Sequence, residues 1–112
     1  MRAGDIVRVP FPHVEENRRR YRPALIVSNG LGPGGTLRWA MMITNALRAS
    51  WPGDLVIGDH ATAGLLIPSK VRTAKLATID TAQASPLGRL PPSLWTKVQA
   101  ALADAVRMQA HP

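Results

Sequence analysis

Four arginines fall within residues 18–22 of the stretch NRRRYR, beside the chain's lone tyrosine, and the run continues directly into the apolar PALIVSN. A guanidinium is planar, presents a fork of donors and stays charged at any ordinary pH. Such a cluster therefore suits a polyanion clamp or the stabilisation of charge developing on a phosphate, with a solvated loop as the bland alternative. The neighbours divide the arginines into two kinds. Pro23 pushes Arg22 towards extended backbone ahead of an apolar strand, whereas nothing in the sequence anchors Arg18, Arg19 and Arg20. Arg22 reads as a positioned cation and residues 18–20 as a mobile, backbone-contacting clamp. His13, in the polar connector over 11–21, titrates near neutral pH and could move a proton, although a solvated loop histidine is the commoner case.

The balance of 14 Lys+Arg against 7 Asp+Glu gives a formal charge of +7, which points to a polyanionic partner, nucleic acid being the commonest. Arginines outnumber lysines 11 to 3, favouring two-pronged phosphate contacts over diffuse charge. Trp39, Trp51 and Trp95 could stack on unpaired bases. Trp39 alternates with Met41 and reads as core or dimer interface, and Trp95 as packing beside a helix, which leaves Trp51 in ASWPGD as the exposed candidate. The three histidines lack helical zinc-pair spacing, and GLGPGG at 30–35 lacks the ending of a phosphate loop. With no cysteine, disulfide frameworks and thiolate zinc sites are excluded. No apolar run approaches a membrane span, and MRAGDIV begins no apolar signal core, so a cytoplasmic protein without membrane attachment is expected.

These residues need a scaffold, and 112 residues with 46% hydrophobic content suffice for one domain with a real, mostly aliphatic core. DIVRVP at 5–10 alternates as a half-buried strand would, ALIVS after Pro23 is a short buried strand, and NGLGPGG is a turn-rich connector. LRWAMMIT at 37–44 and DLVIG at 54–58 are further strand candidates. SKVRTAKLATID reads as two short extended segments. From Leu94 to Met108 apolar residues recur at helical spacing, with Pro91 and Pro92 at the start. One amphipathic helix packing on a small, strongly bent sheet is the expectation.

Three segments, GDIVRVPFP at 4–12, RPALIVSN at 22–29 and AGLLIPSKVRTAKLATID at 63–80, in this order and spacing resemble the MazF/PemK toxins of bacterial toxin–antitoxin systems. The resemblance implies a mainly β, SH3-like antiparallel barrel over about 4–90 and a C-terminal helix over about 92–109, in a single domain. It implies a homodimer, an antitoxin partner, and cofactor-free, metal-independent cleavage of single-stranded RNA. Such cleavage uses the substrate's own 2′-hydroxyl, so one group must take its proton, another must protonate the departing 5′-oxygen, and a third must stabilise charge on the phosphate. Arg22 matches the family's catalytic arginine in the R-P-A motif, and Thr44 in MMITN its strand-end threonine. Arg72 in SKVR matches an arginine used by PemK-like members, but Ala74 stands where those members carry a proposed carboxylate base, so His13 is the remaining candidate base. Arg18, Arg19, Arg20, Ser69, Lys70 and Trp51 are assigned to RNA binding. His60 stands where many relatives carry tryptophan and reads as a structural substitution. Two non-catalytic alternatives are a plain nucleic-acid-binding module, for which Ala74 is the argument, and a gyrase-targeting toxin. The latter's tryptophan-glycine-isoleucine tail contrasts with MQAHP here.

Overall fold

The computed structural model describes residues 1–12 and 19–108. Its strands are β1 (Asp5–Pro12), β2 (Arg19–Ile26), β3 (Leu37–Asn45), β4 (Asp54–Ile57), β5 (Ser69–Asp80) and β6 (Ser85–Arg89), followed by helix α1 (Pro92–Ala105). They form one antiparallel sheet in the order β4-β5-β3-β2-β1-β6. The sheet curls into a half-barrel capped by α1. Register breaks drive the curl: β1 shifts against β6 between Ile6 and Val7. On β5 the pairing jumps from Met41↔Leu76 to Met42↔Arg72, which leaves Thr73, Ala74 and Lys75 out of the ladder. Such extra residues bend the strand and increase its twist.

Curling lets both faces of the same strands be buried, so alternating residues feed two clusters. Ile6, Leu25, Met41, Ile43, Ile57 and Val71 join Val98 of α1, with Leu94, Trp95 and Leu102 packed alongside. Val7, Val9, Ala24, Ile26, Ala40 and Ile79 form the second cluster. The helix begins with Pro92 in its first turn, where a missing N–H costs nothing.

Several sequence expectations are corrected. Arg19 and Arg20 are not an unanchored loop: β2 begins at Arg19, and the ladder with β1 pairs Pro12 with Arg19 and Phe11 with Arg20. SKVRTAKLATID is one interrupted strand, because β3 is long enough to pair with all of it except the three residues that bulge out. Strand β6 was not foreseen, since Pro86 and Gly88 disguise it; it is held by pairing to β1 and an ion pair between Arg89 and Asp5. The helix ends at Ala105, so Met108 lies beyond it and is exposed. Trp39, read as core or dimer interface, is 43% exposed, whereas Ala40–Ile43 after it is buried within the chain, and Leu66 is fully open at 97% exposure.

Candidate functional site

Strands β2 and β3 pair only from Ala24↔Met42 to Ile26↔Ala40. On either side the ladders run further, β1–β2 to Pro12↔Arg19 and β3–β5 to Asn45↔Ser69. The β2–β3 ladder stops at Pro23, which has no N–H to donate. Beyond it the β1–β2 arm and the β3–β5 arm part, and a cleft of about 510 Å³ lies there. Arg8, Tyr21, Arg22 and Pro23 border it from one arm, Ile43, Thr44, Asn45, Arg48 and Ser69 from the other.

A third wall comes from the 64–67 loop and Leu87 of β6. This loop passes β6 so closely that only glycine fits at the crossing. A Cβ on Gly64, whose φ is +87°, would fall 2.0 Å from the Leu87 carbonyl oxygen, and one on Gly88 2.1 Å from that of Ala63. Leu66 and Ile67 are thereby held as an exposed apolar lip.

Among the described residues the cleft lining carries three arginines and no carboxylate. The Arg8 guanidinium lies 4.3 Å from the centroid of the Tyr21 ring, forming a flat, cationic wall. Arg22 and Thr44, assigned from the sequence as the catalytic pair, both border the cleft and are half-buried. Ser69 borders it too, its hydroxyl donating to the Ile67 carbonyl at 2.8 Å.

Arg72, Lys70 and Trp51 belong to a different constellation, away from the cleft lining. Asp54 on β4 pairs in register with Arg72, and its carboxylate accepts from Arg72 Nε at 3.2 Å and Nη2 at 3.1 Å. Arg72 Nη2 also donates to the Ala49 carbonyl at 2.7 Å, and its guanidinium stacks 4.1 Å from the Trp51 ring centroid. Lys70, expected at the RNA surface, is only 2% exposed. Its ammonium donates to the Arg48 carbonyl and stands 3.5 Å from both Ser50 Oγ and Asp54 Oδ2. Burial pushes the Asp54 carboxyl up, but hydrogen bonds from Arg72 and the Trp51 N–H, with the charges of Arg72 and Lys70, outweigh it and hold the pKa below the ordinary 3.8. This network clamps the loop over 46–53 and so places Arg48 at the cleft. Trp51, expected to be open for base stacking, has a ring surface occupied by Arg72 and is 43% exposed.

Of the remaining assignments, Arg20 is exposed on β2. Arg19 is placed by its backbone pairing alone. His13 and Arg18 lie outside the described residues. Ala74 is exposed in the β5 bulge, off the cleft. Sequence reasoning missed Arg8, Tyr21, Asn45 and Arg48. The alternation of DIVRVP already turned Arg8 away from its apolar neighbours, and Tyr21 stands between two arginines; these were the available signals. No group of three or more His, Cys, Asp or Glu residues that could hold a metal converges among the described residues, and no described helix is long and apolar enough to cross a membrane.

Comparison with known proteins places this geometry. No curated protein sequence matches the chain. Among solved structures, MazF from Deinococcus radiodurans superposes with a TM-score of 0.71 at 22% identity, covering 96% of this chain and 97% of that one. An endoribonuclease in complex with its cognate antitoxin from Mycobacterial species gives 0.70 at 20% identity, over 97% and 99% of the two chains. The Mycobacterium tuberculosis toxin MazF-mt6 gives 0.62 at 23% identity, over 81% and 91%. At these identities the likeness establishes the fold. The family profile described as PemK-like, MazF-like toxin of type II toxin–antitoxin system matches residues 2–106, and the chain therefore belongs to that toxin family.

Proposed function

We propose that the toxin is a metal-independent endoribonuclease that cuts single-stranded RNA in the cleft between the two strand arms. The observation that carries this reading is a cleft bordered by Arg22 and Thr44 and lined, among the described residues, by three arginines. A cavity of that polarity attracts a phosphodiester. In the reaction the 2′-oxygen gives up its proton and attacks phosphorus, the bond to the 5′-oxygen breaks, that oxygen takes a proton from water or by relay through the Thr44 hydroxyl, and a 2′,3′-cyclic phosphate and a 5′-hydroxyl remain. Arg22 binds the non-bridging oxygens as negative charge builds on them, and the Thr44 hydroxyl holds a phosphate oxygen or relays a proton. Among the residues assigned from the sequence only His13 titrates near neutral pH, and it takes the 2′-hydroxyl proton in this scheme. Arg72, outside the cleft lining, acts in this scheme by anchoring the loop that carries Arg48 rather than by touching the phosphate.

The reading extends to partners. A cognate antitoxin partner is supported by the Mycobacterial endoribonuclease, similar in fold, whose structure is a complex with its own cognate antitoxin. A homodimer is supported by the exposed Trp39, Val56, Leu66 and Ile67; a monomeric mass by light scattering at micromolar concentration would refute that part. The alternative of a non-catalytic nucleic-acid binder is favoured by Ala74 alone. Incubation of the purified protein with labelled mixed-sequence RNA, with and without EDTA, separates the two. Products ending in cyclic phosphate, formed equally in EDTA, are expected; binding without cleavage selects the alternative, and cleavage that magnesium restores after EDTA overturns the mechanism.

A further inference from the structure

The cleft carries a pair of polar side chains whose hydrogen-bonding polarity is fixed from behind. Asn45 closes β3 and stands opposite Ser69, the first residue of β5. The Leu47 N–H donates to Asn45 Oδ1 at 2.9 Å. A backbone N–H can only donate, so this contact fixes which end of the carboxamide is oxygen. The amide nitrogen, with two hydrogens, has no hydrogen-bond partner among the described residues, and the residue borders the cleft. Ser69 is locked in the opposite sense. It is only 2% exposed and meets the cleft at its lining, and its hydroxyl hydrogen is committed to the Ile67 carbonyl at 2.8 Å, so lone pairs are all that it can turn towards a ligand there. A donor therefore stands next to an acceptor, and neither can reverse without breaking a local hydrogen bond.

From this arrangement we infer that Asn45 and Ser69 read the edge of one unpaired nucleobase and select a keto base, uracil or guanine. The Asn45 NH₂ donates to the exocyclic carbonyl oxygen, and the Ser69 oxygen accepts from the adjacent ring N–H. An amino base would set its exocyclic NH₂ against the Asn45 NH₂, donor against donor, and leave both unpaired. The inference deepens the RNA reading given above and rests on it for the nature of the ligand. The same cleft supplies the other needs of a single base. Tyr21, 57% exposed and backed by Arg8, offers an aromatic surface. Leu66, Ile67 and Leu87 give an apolar opposing wall, and Arg22 and Arg48 supply charge for the flanking phosphates. Stacking holds any base; only the Asn45–Ser69 pair distinguishes them.

The test uses the full-length protein and a random pool of 2′-fluoro oligoribonucleotides, which lack the nucleophile and cannot be cut, with the bound fraction sequenced. The parent protein should enrich uracil or guanine at one position by about five- to a hundredfold, the scale of one good base-edge contact. Asn45→Asp retains an oxygen to accept from the Leu47 N–H but presents oxygen where the amide presented hydrogen. It should abolish the keto preference without building a full match for cytosine or adenine, whose unprotonated ring nitrogen meets the Ser69 lone pairs, and Asn45→Ala should likewise erase the preference at that position. Tyr21→Ala should weaken binding about tenfold for every sequence and leave the preference intact. Enrichment of an amino base by the parent, a keto preference surviving in Asn45→Asp, or no binding to any pool member would each overturn the inference. Selective binding by a protein that leaves natural RNA uncut would uphold the base-reading pair and sink the ribonuclease reading instead.

Discussion

Single residues in this cleft differ in what holds them, and that difference sets what their loss should do. Arg22 is half-buried beside Pro23, at the point where the β2–β3 ladder ends. Arg20, two residues earlier, is exposed on the same strand. If Arg22 meets charge that develops only in the transition state, Arg22→Ala should lower single-turnover cleavage by about a hundredfold or more at saturating enzyme. Arg22→Lys should rescue poorly, since a point charge does not reproduce the two-pronged contact. Arg20→Ala should weaken RNA binding modestly, with the loss shrinking as salt rises, because an exposed charge acts through screened attraction. Circular dichroism confirms that the variants are folded; near-parental cleavage by Arg22→Ala would remove it from the catalytic role. The pair Arg22 and Thr44 was legible because a motif names them. Arg8, Tyr21, Asn45 and Arg48 were not, because their presence in the cleft depends on where a ladder stops and where a loop is tied, and both are facts about strands far apart in sequence.

At the scale of elements, the loop over 46–53 illustrates how much a long-range ion pair decides. The sequence suggested the strands on either side of it, and alternation, prolines and the change to helical spacing made β1, β2, β3, β4 and α1 readable. It gave no sign that Asp54 would meet Arg72 and Lys70, and so Lys70 read as a surface cation. Both partners are withdrawn from water, with side-chain exposures of 10% for Arg72 and 6% for Asp54. Removing one side of a buried pair leaves charge uncompensated, so Asp54→Ala should cost about 3–5 kcal/mol of stability, measured by urea unfolding at pH 7. The pH dependence follows from the lowered Asp54 pKa. The stabilisation is fully present above the ordinary aspartate value of 3.8 and is lost as pH falls through the lower folded value. Acidification below about pH 4 should therefore narrow the gap between parent and Asp54→Ala. A gap that stays constant down to pH 2 would show that the carboxylate's charge contributes nothing.

For the molecule as a whole, the formal charge of +7 does not say which cations a nucleic acid can reach. Lys70 and Arg72 are buried against Asp54, and Arg89 is paired with Asp5 at the β6 edge. Among the described residues, the cations that border the cleft are Arg8, Arg22 and Arg48. Single-stranded nucleic acid releases counterions in proportion to the phosphates neutralised, and the slope of log affinity against log salt is about −0.7 per phosphate. Three cleft arginines, each meeting one phosphate, contribute about −2 to that slope, with exposed charges such as Arg20 adding to it. Arg48→Ala should reduce its magnitude by about 0.7. Arg107→Ala, at the exposed far end beyond α1 where Arg107 pairs with Asp104, removes the same formal charge and should leave the slope unchanged. Fluorescence anisotropy with an uncleavable oligonucleotide, titrated across a range of sodium chloride, measures all three slopes. Equal effects of the two substitutions would mean that the protein attracts RNA through its overall charge, and that the cleft between the strand arms is not where the backbone lies.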